Sequence, residues 1–201
     1  MAFERDKLRE AMIERAEASI AEHGMDGLRA RTVAVDAGVS VGTVYNLFGS
    51  LDGLLEAVFE RTMARFQQEA APPDDAAGGE RRERLLGLAW AYMDFVRRNQ
   101  AVWSAFLAYN RQREDGANDP YLARQGPLFD LVGDVLRDTA LDAGEADRRS
   151  AARMLWSSVH GIVTLNYLDM VSEDSERATR EQITLLVDLV LAGMEREPPG
   201  A

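Results

Sequence analysis

Residues Ala30 to Phe48 read ARTVAVDAGVSVGTVYNLF. Val33, Ala37, Val39, Val44 and Leu47 recur there at helical spacing and supply a small shared core. The pattern predicts two short helices, about 30–37 and 41–47, with Gly38 between them. Gly38 stands where a tight turn wants positive φ, which a residue without a Cβ adopts at no steric cost. Ala34 is small enough to let the two helices approach. Ser40 is placed to cap the second helix, leaving its N-terminal amides and positive dipole end toward an incoming phosphate. An ordinary helical hairpin is the bland alternative, but helices this short are poorly explained by bundle packing. The combination is that of a helix-turn-helix.

The second helix then presents Val41, Gly42, Thr43, Tyr45 and Asn46 outward, a set without charge. Asn bonds adenine bidentately, and Thr or Val contacts a thymine methyl. Gly42 removes bulk where a helix would meet the groove wall, and the Tyr45 hydroxyl suits a phosphate. Arg29, Arg31 and Thr32, entering the first short helix, complete a DNA-facing set with Ser40. Each Arg also suits a solvated surface charge. From Gly27 to Ser50 there are two Arg and one Asp, a local net of +1.

Outward from this stretch, helical periodicity recurs along the whole chain and strand alternation is almost absent. A first helix over about 4–22 carries Leu8, Met12, Ala16 and Ile20 on one stripe and stops at Gly24. A longer one over 51–70 uses Leu54, Leu55, Val58, Phe59, Met63 and Phe66, with Ser50 as its N-cap. Further helices are expected near 80–97, 100–109 (capped by Asn99), 120–141, 145–170 and 175–195. Ala71 to Gly79 is the clearest linker, Arg111 to Asp119 a polar loop, and Glu197 to Ala201 a frayed tail. The fold class is all-α, with about nine helices. Residues 1–50 form a three-helix DNA-binding domain, helix 51–70 connects, and 51–201 form a helical-bundle domain.

Composition at first opposes this reading. The 201 residues carry 23 Lys+Arg against 34 Asp+Glu, a formal net charge of -11, and a nucleic-acid-coating protein should be basic. The near-neutral reading segment answers the objection, because a local field need not follow the global charge. Few phosphate contacts imply a modest salt dependence of DNA binding. With no Cys, disulfides and thiolate chemistry are excluded, which fits a reducing, cytoplasmic setting. No signal-type segment or membrane span is expected.

The residues Ala34, Ala37-Gly38-Val39-Ser40, Gly42-Thr43-Val44-Tyr45, Phe48 and Leu54-Leu55 resemble the N-terminal domain of the TetR (tetracycline-repressor) family of bacterial transcriptional regulators. The likeness covers about residues 5–60. It departs at Leu47, where Tyr or His is frequent, and at Leu51, where a Lys usually begins the fourth helix. Both usual residues would contact phosphate, so the resemblance implies a backbone grip with fewer charges, for which Arg29 and Arg31 could compensate. Trp156-Ser157-Ser158-Val159-His160-Gly161 is similar to the Trp-x-x-x-His-Gly feature of one C-terminal subgroup of the family.

The resemblance also implies a homodimer and a small-molecule effector. Ile183, Leu186, Val187, Val190, Leu191 and Met194 form a broad stripe in the last helix, with Leu185 and Leu189 on its other side. The preceding helix offers Leu155, Ser158, Ile162 and Leu165. Two such stripes doubled by a two-fold axis would make a four-helix interface, unless both are buried within one subunit. Trp90, Met93, Phe106, Tyr109, Phe129, Trp156 and His160 are candidate effector-pocket residues for an apolar ligand. Singly, each aromatic is more often core than pocket, and a packing histidine is the commoner role for His160.

An enzyme fits poorly. His23 and His160 are the only histidines, no nucleophile elbow or phosphate loop is present, and no acid is spaced to complete a triad with Ser157 and His160. Neither a metal site nor a cofactor is implied. A helical protein-binding adaptor without DNA binding is the remaining alternative. The expected partners are double-stranded operator DNA, an effector and a second copy of the chain, with no membrane.

Overall fold

The periodicity becomes nine α-helices among the described residues of the computed structural model, which are 2–70, 80–111, 126–137, 139, 144–167 and 173–194. They are α1 (Ala2–His23), α2 (Ala30–Asp36), α3 (Val41–Phe48), α4 (Leu51–Ala70), α5 (Arg81–Arg98), α6 (Gln100–Arg111), α7 (Gly126–Val135), α8 (Glu145–Tyr167) and α9 (Glu173–Met194). A short 3-10 turn, Met25–Gly27, follows α1. The expected linker 71–79, most of the loop beyond Arg111 and the tail lie outside the described residues. The described part of the helix expected over 120–141 is α7. No described helix is long and apolar enough to cross a membrane.

The helix stops follow the sequence. Gly24 takes φ 66°, and its amide bonds the Ile20 carbonyl at 2.8 Å, ending α1. Ser50 caps α4, its Oγ accepting from the Gly53 amide at 3.0 Å. Met12, Ala16 and Ile20 of α1 are fully buried, and so are Leu54 and Val58 of α4. Val33 and Val44 join this core without residual exposure, while Ala37, Val39 and Leu47 are half-buried. Each such fully buried valine contributes about 1.5–3 kcal/mol of transfer free energy.

Two compact units emerge, and they do not divide at residue 50. The first joins α1, α2, α3 and α4 as far as Phe66 with α6; the second holds the end of α4, α5 to Arg97, and α7 to α9. Packing explains why α6 belongs with the first. It lies against α1, and its Phe106 meets Phe59 of α4 edge-on at 4.1 Å between ring centroids. Polar contacts tie the same three helices. Arg61 of α4 reaches Glu10 and Glu14 of α1 at 3.2 and 2.9 Å, and Arg65 bonds both Glu17 and the Asn99 side chain before α6.

In the second unit α7 packs on α8 and α8 on α9. Arginines fasten α5 to this layer. Arg81 donates to the Val135 carbonyl at 3.1 Å, and Arg82 grips Asp188 with two bonds at 2.6 and 3.1 Å. The guanidinium of Arg180 lies over the Trp90 ring at 4.9 Å, a cation–π contact that also covers an amphipathic indole.

Candidate DNA-reading face and sensing core

The turn between α2 and α3 is built by the backbone. Gly38 has φ 67°, its amide bonds the Val35 carbonyl at 3.1 Å, and the Val39 amide bonds the Ala34 carbonyl at 2.9 Å. This pair of bonds is the Schellman closure of a helix, and it uses a left-handed residue at the position Gly38 fills. Ser40 then starts α3, its Oγ accepting from the Thr43 amide at 3.2 Å and lying 2.9 Å from the Thr43 hydroxyl. Val44 is turned fully inward. That places Gly42, Tyr45 and Asn46 on the exposed side, with Val41 and Thr43 half-buried at its edges.

All nine sequence candidates for DNA contact therefore retain accessible surface. Arg29, Arg31, Thr32 and Ser40 are exposed, and Tyr45 keeps 47% of its surface. Arg29 is steered by a bond from its Nε to the Asp26 carbonyl at 3.3 Å.

Two residues that hold α3 in place escaped the sequence reading. Gly53, inside the first turn of α4, lets that helix lie directly on the end of α3; a Cβ there would stand 2.1 Å from the Phe48 carbonyl oxygen. A glycine inside a strongly patterned helix was the available signal, since it costs about 1 kcal/mol against Ala unless packing requires it. Arg9 of α1 stacks its guanidinium over Phe48 at 5.3 Å. No sequence signal pairs those two positions.

The candidate effector residues fall into different units. Phe106 and Tyr109 pack with Phe59 in the first, their ring centroids 4.1 and 6.3 Å from it. In the second unit Met93 is fully buried, Phe129 and Trp156 are buried, and Trp90 is half-buried beneath Arg180. Here an apolar cavity of about 20 Å³ is lined by residues that include Leu85, Val132, Leu155, Trp156, Val159 and Val187. It is about the size of one water, and its apolar walls offer that water no partners. Beside Trp156, Tyr92 packs at 4.7 Å between centroids, and its hydroxyl lies 2.6 Å from Nδ1 of His160. Burial pushes the His160 imidazole below its ordinary value of 6.5. A neutral ring carries one N–H, and the tautomer decides whether Nδ1 accepts from the Tyr92 hydroxyl or donates to it.

The expected dimer residues need correction. Leu155 and Val187 line this cavity and Ile183 is wholly buried, so all three are spent inside the chain. Ser158, Ile162, Leu186, Val190 and Leu191 are half-buried, and the Met194 side chain lies outside the described residues. The outward apolar residues are instead Met154 and Leu165 of α8 and Leu185 and Leu189 of α9, between 56% and 70% exposed. Of the original set, Leu165 is the one exposed large residue among those described. Leu185 and Leu189, on the other side of that stripe, face outward because α8 packs against the opposite side of α9.

Comparison with known proteins agrees with this architecture. The model described as "Bacterial regulatory proteins, tetR family" matches residues 12–58, and "Tetracyclin repressor-like, C-terminal domain" matches 85–190. The chain is 27% identical to the HTH-type transcriptional regulator PksA of Bacillus subtilis (strain 168) over 182 residues, covering 89% of this chain and 87% of that protein. A putative TetR-family regulator from Rhodococcus sp. shares the fold with a TM-score of 0.69 at 23% identity, covering 92% of this chain and 99% of the other. The multidrug binding protein EbrR, solved with imidazole, superposes with a TM-score of 0.63 at 25% identity, covering 89% and 93%. From the capped reading helix to the C-terminal helices, the chain belongs to the tetR family of bacterial transcriptional regulators.

Proposed function

We propose that the chain is a homodimeric repressor that sets α3 of each subunit into successive major grooves of a near-palindromic operator and is released by a small, largely apolar effector. The observation that carries this reading is the outward face of α3, where Gly42, Tyr45 and Asn46 stand exposed on a helix capped by Ser40. Helix-turn-helix dimers place such helices one DNA turn apart, so the protein two-fold is mirrored in the operator. Arg29, Arg31, Thr32 and Tyr45 would hold the backbone, while Val41, Thr43 and Asn46 would meet base edges.

The two-fold partner is a second copy bound through Met154, Leu165, Leu185 and Leu189, flanked by Ser158 and Ile162. Four large apolar side chains on two adjacent helices form the kind of patch that marks an association surface. The effector would enter the second unit beside Trp156, Tyr92 and His160. Because the cavity there holds about 20 Å³, a ligand of ordinary size must select an opened conformer. Release from DNA then requires only that the opened conformer binds the operator less well. EbrR, described as a multidrug binding protein, supports a sensing role for this part of the chain.

The test is fluorescence anisotropy with DNA from the chain's own genomic neighbourhood, at two or more salt concentrations. Specific binding is expected with a shallow salt slope, and Tyr45→Ala or Asn46→Ala should weaken it about tenfold without changing dimer mass. If both variants leave DNA behaviour unaltered, the chain is a helical adaptor instead. A steep slope would mean many more phosphate contacts than this surface offers.

A further inference from the structure

The side chains of α3 limit what kind of operator it can read. Among Val41 to Phe48 there is no Arg, Lys, His, Asp, Glu or Gln. Arg and Lys are the side chains that read guanine through O6 and N7, and Asp and Glu those that accept from cytosine N4. Gly42 and Asn46 stand one helical turn apart on the outward side, where the missing Cβ of Gly42 leaves Asn46 unobstructed. The Asn46 side chain is exposed and has no hydrogen-bond partner among the described residues, so its carbonyl and amide are both available. Thr43 differs. Its hydroxyl is 2.9 Å from Ser40 Oγ within the cap, so its methyl is the side-chain group that contact leaves unengaged.

Resting on the DNA-binding reading above, we infer that α3 recognises half-sites centred on A·T pairs. Asn46 bonds adenine bidentately, donating to N7 and accepting from N6, and the Thr43 methyl lies against the C5 methyl of a neighbouring thymine. Tyr45, on the same exposed face, takes a phosphate. Arg29 and Arg31 belong to the entry of α2, so any guanine they contact lies at the edge of the half-site.

The experiment is selection of the full-length protein on randomised duplex DNA, followed by binding to the selected site with modified bases. Selected half-sites should carry A·T at two neighbouring central positions. Replacing the contacted adenine by 7-deazaadenine removes only the N7 acceptor and should weaken the wild-type protein about tenfold. Asn46→Ala should bind both DNAs equally, and this base change cannot disturb protein folding. Uracil in place of the thymine should cost a smaller, separate factor that Thr43→Ser abolishes. Half-sites with obligatory central G·C pairs, or equal wild-type binding to 7-deazaadenine DNA, would overturn the inference while leaving DNA binding intact. Enrichment of no sequence at all would remove the DNA-binding reading and the inference with it.

Discussion

The face of α3 and the faces of α8 and α9 both look outward, but their chemistry is opposite. On α3 the exposed residues are small or polar, Gly42, Tyr45 and Asn46, and water solvates them at little cost. On α8 and α9 they are Met154, Leu165, Leu185 and Leu189, whose exposure carries a standing hydration cost. A surface of the first kind can be bare or bound and so suits a reversible partner. A surface of the second kind calls for a permanent one. On the proposed reading, the difference separates an operator, released on demand, from a subunit that stays.

The largest effect should come from breaking the apolar side of that contrast. Leu185→Glu combined with Leu189→Glu would place four carboxylates in the proposed two-fold interface and forfeit four leucine burials. At about 1.5–3 kcal/mol each, the loss exceeds 6 kcal/mol and should leave monomer at micromolar concentration. Sedimentation velocity reads the mass directly. An intact dimer would show that this face is not the interface, and Tyr45→Ala serves as the control that leaves mass unchanged.

The next effect compares two glycines, one in each unit. Gly53 of α4 abuts the Phe48 carbonyl, whereas an added Cβ at Gly87 of α5 meets nothing within 4 Å. Gly53→Ala should lower stability by about 1–3 kcal/mol through overpacking and loosen α3 against α4. Gly87→Ala should raise it by about 0.5–1 kcal/mol through helix propensity. Thermal unfolding followed by circular dichroism gives both signs, and a stabilised Gly53→Ala protein would mean that α4 can shift without strain.

That pair also shows why the sequence was legible in some places and opaque in others. Helix boundaries were readable because their causes are local. The Ser40 and Ser50 caps and the left-handed Gly24 and Gly38 act within a few residues of themselves. Gly53 was visible only as a glycine inside a patterned helix; its reason, the Phe48 carbonyl at the end of α3, depends on how α4 meets α3. In α9 the period of 3.6 marked apolar positions correctly, but apolar residues surround most of that helix. The placement of α5, α7 and α8 around α9 decides that Ile183 and Val187 turn inward and Leu185 and Leu189 outward. Phe106 and Tyr109 were grouped with Trp156 on residue type alone, and packing assigns them to another unit. The surface of α3 was legible because a short helix with one inward residue, Val44, has one orientation available.

A smaller effect tests the interior of the second unit. The His160 imidazole is held below its ordinary 6.5 by burial, so the folded state disfavours the proton that the unfolded chain accepts. Stability is then full above about pH 6.5 and falls as pH drops below it, because the unfolded state binds more protons there. One such group gives a slope of at most about 1.4 kcal/mol per pH unit. Denaturant unfolding between pH 5 and 8 should show this slope, and His160→Gln should flatten it relative to wild type. No change in slope would mean that the imidazole protonates without breaking its Tyr92 contact. The α3 face contains no group titrating in that range, so Gly42→Ala should leave the slope alone.

Gly42→Ala itself is the mildest change and the most discriminating for the contrast between the two surfaces. A Cβ at Gly42 would meet only Ser40 Oγ, at an ordinary 3.6 Å, so the fold accepts it. In an exposed helix, Ala in place of Gly should stabilise the protein by about 0.5–1 kcal/mol. If α3 lies in a major groove, the same methyl stands between the helix and the base edges that Asn46 reads. Operator affinity should then fall although the protein is more stable, and sedimentation should find the dimer unchanged. A structural helix in a protein-binding adaptor has no reason to show opposite signs for folding and DNA binding. Stability and operator affinity rising together would place another surface against the groove.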